Sequence, residues 1–270
     1  MATLVAFHAH PDDETIIQGG SLAKAVDEGH RVVIVYATDG EHGEVPDGLL
    51  AEGETLVERR RAEAERSAEA LGTSRLVWLG YGDSGMAGTA DNDDPASFWQ
   101  ADVEKAAEGL AAVLREEAAD VLTIYDPQGN YGHPDHIQVH RVGARAAELA
   151  GIPEVFEVTI SREHVRGLVA AAIASGDAPR DEMPDFDDPN LVFGMPDEAI
   201  TTRVDVTPWL DRKRAAMEAH ASQIGDMAMF LAMPPEAFAM ALGTEFYIRH
   251  ETPDGHRETG IFVSTPARQA

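Results

Sequence analysis

The chain has 270 residues, 44% of them hydrophobic, with 21 basic against 48 acidic side chains, a formal charge of −27 and no cysteine. That length supports a sizeable core, while the charge disfavours nucleic acid and anionic membrane surfaces as partners. The lack of cysteine excludes disulfides and thiolate metal sites, so any bound metal must sit on imidazole and carboxylate. The acidic field itself is read as solubility or adaptation to salt, with only a modest pull on cations.

Residues 1–8 run Met-Ala-Thr-Leu-Val-Ala-Phe-His. They carry no basic leader and no long apolar stretch, and are read as a first strand over 4–7 rather than a signal peptide. An acidic loop follows, His10-Pro11-Asp12-Asp13-Glu14, then a helix over 21–28 ending at Gly29. Residues 31–36 (Arg-Val-Val-Ile-Val-Tyr) are β-branched and apolar, as a buried parallel strand requires. Residues 55–71 place Leu56, Ala64, Ala68 and Leu71 on the apolar side of a helix closed by Gly72. A strand over 76–79 precedes an irregular stretch rich in Asp, Gly and Pro at 88–95, whose acidic run 91–94 is read as solvated loop. A second amphipathic helix over 102–118 uses Val103, Ala107, Leu110, Ala111 and Leu114. After a strand over 121–125 comes a second polar cluster, His133-Pro134-Asp135-His136, and a helix over 137–149 ending near Gly151. Beyond 154 the pattern is mixed, with strands at 155–160, 200–206 and 246–249, another irregular stretch at 176–189 and a helix over 208–223. No run approaches the roughly 18 apolar residues of a membrane span, and a cytoplasmic protein is expected. No repeat or linker divides the chain, so 1–270 is read as one domain, with a core over 1–160 and an extension over 161–270.

Strands alternating with helices predict a Rossmann-like α/β fold: a mostly parallel sheet with helices on both faces, plus a smaller mixed C-terminal part. Ligands of such sheets gather outside the carboxyl ends of the strands, and both polar clusters fall there. Carboxylate and imidazole crowded at strand ends are costly to bury unless a metal or a reaction uses them. His10 and Asp13, three apart on a loop, can both face one ion. His136, arriving from the other strand end, would complete three ligands and leave a catalytic zinc one open position.

Together the two clusters resemble the LmbE/PIG-L family of zinc-dependent N-acetylglucosamine deacetylases. Thr38-Asp39-Gly40-Glu41-His42-Gly43-Glu44 is similar to that family's Thr-x-Gly-Glu segment, and Arg60-Arg61-Ala62-Glu63 to its helical Arg-x-x-Glu. Asp83-Ser84-Gly85-Met86-Ala87-Gly88-Thr89 and the run from Tyr125-Asp126-Pro127 through Gly129, Tyr131 and Gly132 to His133 look like the actinobacterial mycothiol-pathway members. The resemblance covers roughly residues 4–160 well and the rest loosely.

The resemblance implies His10, Asp13 and His136 as ligands of Zn2+, with Fe2+ the alternative in vivo because affinity order and metal availability compete. It implies Asp12 as general base toward metal-activated water, and a protonated His133 and the Tyr131 hydroxyl as donors to the developing oxyanion. Asp135 would hold His133 and favour its charged form. Arg60, Asp83, Glu44 and Met86 would contact the ligand, a small N-acetylated amino-sugar conjugate. A homo-oligomer is compatible with the sequence, which does not specify one. His8 and Glu14 are read as support around the ligand loop, and His220 with Gln223 as packing or support. The nearest alternative is an amidase removing a larger acyl group from a mycothiol-type conjugate. Two histidines and a carboxylate also make the facial triad of non-haem iron oxygenases, and a non-catalytic metal- or sugar-binding module would share the fold. The α/β pattern counts against the first, and the presence of Asp12 with all three ligands against the second.

Overall fold

The N-terminal apolar run forms strand β1 (Thr3–His8), followed by helix α1 (Asp13–Asp27), β2 (Arg31–Thr38), α2 (Leu56–Leu71) and β3 (Arg75–Tyr81). Then come α3 (Val103–Glu116), β4 (Val121–Tyr125), a single kinked turn α4 (Gly129–Gly132), α5 (Pro134–Ala150), β5 (Glu154–Thr159) and α6 (Arg162–Ser175). The chain continues through β6 (Thr202–Asp205), α7 (Leu210–Ala219), α8 (Ile224–Leu231), α9 (Pro235–Leu242) and β7 (Thr244–Arg249). This is a computed structural model, and it describes residues 1–175, 185–186, 188, 191–253 and 255–262. The irregular stretch expected at 176–189 lies outside the described residues except for 185, 186 and 188.

All seven strands join one sheet in the order β3-β2-β1-β4-β5-β7-β6. The first five run parallel, and β7 pairs antiparallel with both β5 and β6. The expected α/β architecture is therefore observed, with its mixed C-terminal part built onto the edge of the parallel sheet. Residues 4–7, 32–37, 121, 122, 124 and 125 are all buried hydrophobics, because helices cover both faces of the central strands. The direction of strand succession reverses between β1 and β4, which are neighbours. A crevice opens at such a switch point, outside the carboxyl ends of the strands.

Local chemistry sets the helix ends. Thr55 and Glu58 form a reciprocal capping box at the start of α2, and Gly72 ends it in the left-handed conformation. Asp102 caps α3 by accepting from the Lys105 N–H. Helix α1 begins at Asp13, well before the expected 21, because Gly19 and Gly20 do not break it. They instead let the helix approach its neighbours closely: a Cβ at Gly20 would overlap the Val206 side chain. The buried Glu245 carboxylate accepts from the Gly20 and Ser21 N–H groups (2.9 and 2.8 Å) and pairs with buried Lys213 at 2.7 Å. The helix expected over 208–223 is broken at His220, which leaves α7 with φ −86° and ψ 57° and enters a 3-10 turn over 221–223. No helix among the described residues is long and apolar enough to cross a membrane.

One close approach carries a testable cost. Gly143 of α5 faces β4, and a Cβ there would overlap the Ile124 side chain and lie 3.5 Å from Phe7. Helix propensity favours alanine over glycine by about 1 kcal/mol, but overpacking a filled core costs about 1–3 kcal/mol. Gly143→Ala should therefore lower the thermal midpoint by a few degrees. An unchanged or raised midpoint in calorimetry would show that α5 can lift off the sheet freely.

Candidate metal centre

The first polar cluster leaves the carboxyl end of β1 and the second opens α5 beyond β4. Because β1 and β4 are paired, two segments more than a hundred residues apart in sequence meet across the crevice. Asp13 starts α1, and its Oδ2 accepts from the His10 N–H at 2.8 Å, folding the loop so that both side chains face inward. His133 caps α5: its Nδ1 accepts from the Asp135 N–H at 3.2 Å, and Pro134 takes the first helical position. His136 then projects from the first turn, 1% exposed. Ahead of it Gly129 has φ +62°, and a Cβ there would lie 2.7 Å from both the His136 Cβ and the Ile137 nitrogen. Only glycine lets the loop from β4 pass this close to the helix.

His10 Nδ1 lies 3.4 Å from Asp13 Oδ2, and His136 Nε2 lies 3.3 Å from Asp13 Oδ1. One donor atom from each of the three lies within 4.8 Å of the other two. Tetrahedral ligands about 2.0–2.1 Å from an ion sit about 3.3 Å apart, so the spacing fits a small divalent cation. The donor chemistry fits as well: two imidazoles and a carboxylate, with no thiolate. Burial opposes a charge on His10, but hydrogen bonds to Asp13, Asp135 and Asp83 outweigh it and hold its pKa well above the ordinary value. Burial would raise the Asp13 carboxyl, yet His136 and His10 keep it well below the usual range.

A ring of support surrounds these three residues. The Asp135 carboxylate accepts from His10 Nε2 at 3.2 Å, from the Ser84 N–H at 2.9 Å and from the Ser84 hydroxyl. A carboxylate on the remote nitrogen of a ligating histidine fixes its tautomer and leaves the other nitrogen free for a metal. The Asp135 carboxylate thus bonds His10 rather than His133, which its backbone N–H meets, although its charge still pulls the His133 pKa upward as expected. The expected charge on His133 is also not supported. Burial and the neighbouring His10 and His136 push its pKa down to about 3. With Nδ1 accepting from the backbone, neutral His133 carries its proton on Nε2 and can still donate to a developing oxyanion. The Tyr131 hydroxyl lies 3.5 Å from His136 Nε2, on a residue 42% exposed. Tyr125, not among the expected site residues, packs its ring in a tilted contact on His136 (centroids 4.7 Å apart) and bonds His8 Nδ1 through its hydroxyl at 2.8 Å.

Asp12 precedes α1 with φ +118°. Arg60 bonds its Oδ1 at 3.1 Å, and among the described residues Oδ2 has no hydrogen-bond partner. Burial pushes its carboxyl up to about 6 against the opposing pull of Arg60. That places a carboxylate of near-neutral basicity beside the candidate metal ligands.

Arg60, expected as a ligand contact, is only 3% exposed. Its guanidinium is turned onto the Gly40 and Pro11 carbonyls and Asp12, so it holds the loop rather than lining open space. Asp83 lies 3.6 Å from His10 Nε2 and accepts from the His42 and Gly85 N–H groups, while Glu44 and Met86 are exposed.

Residues 5–147 match the family described as PIG-L: GlcNAc-PI de-N-acetylase, more than half of the chain. The chain belongs to the PIG-L family. It is 39% identical to the 1D-myo-inositol 2-acetamido-2-deoxy-alpha-D-glucopyranoside deacetylase of Geodermatophilus obscurus, over 97% of this chain and 98% of that one. It is 42% identical to the deacetylase of the same name from Thermobifida fusca, over 96% and 98%. This PIG-L chain is therefore a hydrolase of the deacetylase class, as the two motifs led us to expect. Among solved structures, N,N'-diacetylchitobiose deacetylase from Pyrococcus horikoshii matches with a TM-score of 0.60 at 22% identity, covering 93% of this chain and 86% of that one. The 4-carboxy-2-hydroxymuconate hydratase GalB of Pseudomonas putida matches with a TM-score of 0.55 at 20% identity, over 96% and 100%. A fold shared with a hydratase does not assign a reaction; the residues of the site must do that.

Proposed function

We propose that this chain removes the acetyl group from an N-acetylglucosaminyl-inositol conjugate of the kind named for its relatives. The observation that carries the reading is the convergence of His10, Asp13 and His136 donor atoms within 4.8 Å, with the uncommitted Oδ2 of Asp12 beside them. His10, Asp13 and His136 would hold the ion, Zn2+ in our reading and Fe2+ as the alternative. When bound, a divalent ion supplies Lewis acidity and lowers the pKa of a coordinated water toward ~7.

The chain's own residues do the rest. Asp12 takes the proton from the attacking water through Oδ2, with Oδ1 anchored on Arg60. As the amide carbonyl oxygen gains charge, His133 Nε2–H and the Tyr131 hydroxyl donate to it. Asp12 then returns its proton to the leaving amine, so that acetate and the free amino sugar result. Asp135 keeps the Nδ1 face of His10 turned toward Asp13. For the sugar we assign Asp83, Glu44 and Met86; the Asp83 carboxylate spends two of its roughly four acceptor sites on the His42 and Gly85 N–H groups, with His10 Nε2 3.6 Å away. Arg60 acts on Asp12 in this reading. We also read the chain as one domain, since β6 and β7 extend the same sheet.

The test is amine release, detected with fluorescamine, from N-acetylglucosaminyl-inositol. Release is expected, with loss on chelation and recovery on adding zinc. Hydrolysis confined to larger S-conjugated acyl groups would favour the amidase, and chelator-resistant release would remove the metal.

A further inference from the structure

Asp12 is the residue our functional reading makes the base, and its backbone is strained. A non-glycine residue at φ +118° and ψ −32° sits outside the small left-handed basin, at a cost of about 1–3 kcal/mol. Such a conformation persists only where its surroundings over-determine it. Here they do. Glu14 Oε2 accepts from the Asp12 N–H at 2.9 Å. The Asp12 carbonyl accepts from the Thr15 N–H at 2.9 Å and the Thr15 hydroxyl at 2.7 Å. Arg60 binds the preceding carbonyl of Pro11 and Asp12 Oδ1.

The Glu14 carboxylate is itself held from far away in the chain. Its Oε1 accepts from the Ser67 hydroxyl at 2.6 Å and from His220 Nε2 at 2.9 Å. Glu14, Ser67 and His220 are all fully buried. Arg60, Glu63 and Ser67 share one face of α2 at helical spacing. Glu63 fastens the turn that carries His220, accepting from the Ser222 N–H at 3.0 Å and its hydroxyl at 2.5 Å. One face of α2 thus grips the Asp12 loop through Arg60 and the 220–223 turn through Glu63, with Ser67 on Glu14 between them.

We propose that Glu14, His220 and Ser67 are positioning residues for Asp12: their buried hydrogen-bond chain fixes the Asp12 peptide in its strained conformation and so aims Oδ2 at the reacting water. The proposal rests on Asp12 being the base and makes the C-terminal part of the chain, through His220, a partner in catalysis. None of the three touches the reacting atoms.

The test uses the zinc-loaded, full-length chain with Glu14→Gln, His220→Ala and His220→Gln. Glu14→Gln keeps the shape but replaces one acceptor with a donor, so at least one of the three N–H or O–H groups is left facing another donor. For Glu14→Gln and His220→Ala we expect kcat to fall about 10- to 100-fold, with KM and zinc affinity (competition with a chromophoric chelator) within about threefold of wild type. Crystals of the zinc-loaded variants should show Asp12 at negative φ with its carboxylate moved off Arg60. His220→Gln, which restores an N–H donor toward Glu14, should recover part of the rate lost in His220→Ala. If His220→Ala fails to fold, Glu14→Gln against wild type carries the same comparison. The proposal is overturned if kcat is unchanged in Glu14→Gln, if zinc affinity falls in parallel with kcat, or if Asp12 keeps φ near +118° in the variant crystals. If wild-type protein releases no amine from any N-acetylglucosaminyl conjugate, the functional reading fails instead. The Asp12 conformation in the variant crystals then decides the positioning by itself.

Discussion

Asp12→Ala is expected to lower kcat by about 10²- to 10⁴-fold, the usual worth of a positioned acid–base group, while zinc content and affinity stay close to wild type. Asp12 is not among the grouped donor atoms of His10, Asp13 and His136. Its Oδ1 is taken by Arg60, which leaves only Oδ2 for a proton. The pH profile gives a second check. Burial pushes the Asp12 carboxyl up to about 6, and a base works only when deprotonated, so the wild-type rate should fall as pH drops through its pKa. A cation bound alongside lowers that pKa, which puts the acid limb at or below about pH 6. In Asp12→Ala this limb should vanish. Loss of zinc together with activity would instead make Asp12 a ligand.

His136→Ala should fail in the opposite way: zinc is lost, and the rate goes with it. His136 Nε2 faces Asp13 Oδ1 at 3.3 Å from a side chain only 1% exposed. Losing an outer-shell partner costs about 10- to 100-fold in metal affinity, and losing one of three direct ligands should cost more. Metal analysis after dialysis is the measurement, with partial recovery of rate expected at high added zinc. One equivalent of zinc retained after dialysis would take His136 out of the ligand set. The contrast between the two variants, rate without metal loss against rate through metal loss, separates base from ligand more cleanly than either alone.

Much of the frame was legible in the sequence because it depends on local pattern. The β-branched runs marked β2 and β4, and Gly72 and Gly151 marked helix ends, since these signals need no tertiary context. The two clusters pointed to candidate metal ligands because His, Pro and Asp concentrated in turns after strands have few structural uses, and the fold brings His10, Asp13 and His136 together. What escaped depends on packing between distant segments. Gly20 lies before the expected start of the helix, yet its tight approach to Val206 and its bond to Glu245 make it a requirement of α1. Asp135 looked like a partner for its near neighbour His133; its carboxylate instead crosses the crevice to His10, 125 residues earlier. Ser84 and Tyr125 carried no signal as site residues, since their importance lies in Asp135 and His136, which the strand order brings to them. Arg60 matched a motif, but a motif cannot say whether a guanidinium faces the crevice or the underside of a loop. The break of the 208–223 helix at His220 was likewise unreadable, because the turn there is held by bonds to Glu14 and Glu63, both far away in the chain.

The antiparallel strand β7 has a consequence for anyone recombining these proteins. The stretch that defines the family stops at residue 147, inside α5. Excised there, the chain would lose β5 together with β7 and β6, which are built on it through the pairing of Val158 and Thr159 with Tyr247 and Phe246, leaving β4 as an open sheet border. A bare central strand invites pairing with other molecules, and the imidazole facing Glu14 would be gone as well. Chimeras among these relatives are therefore expected to fold best when β1 through β7 come from one parent, together with Ile261, which packs in the same core.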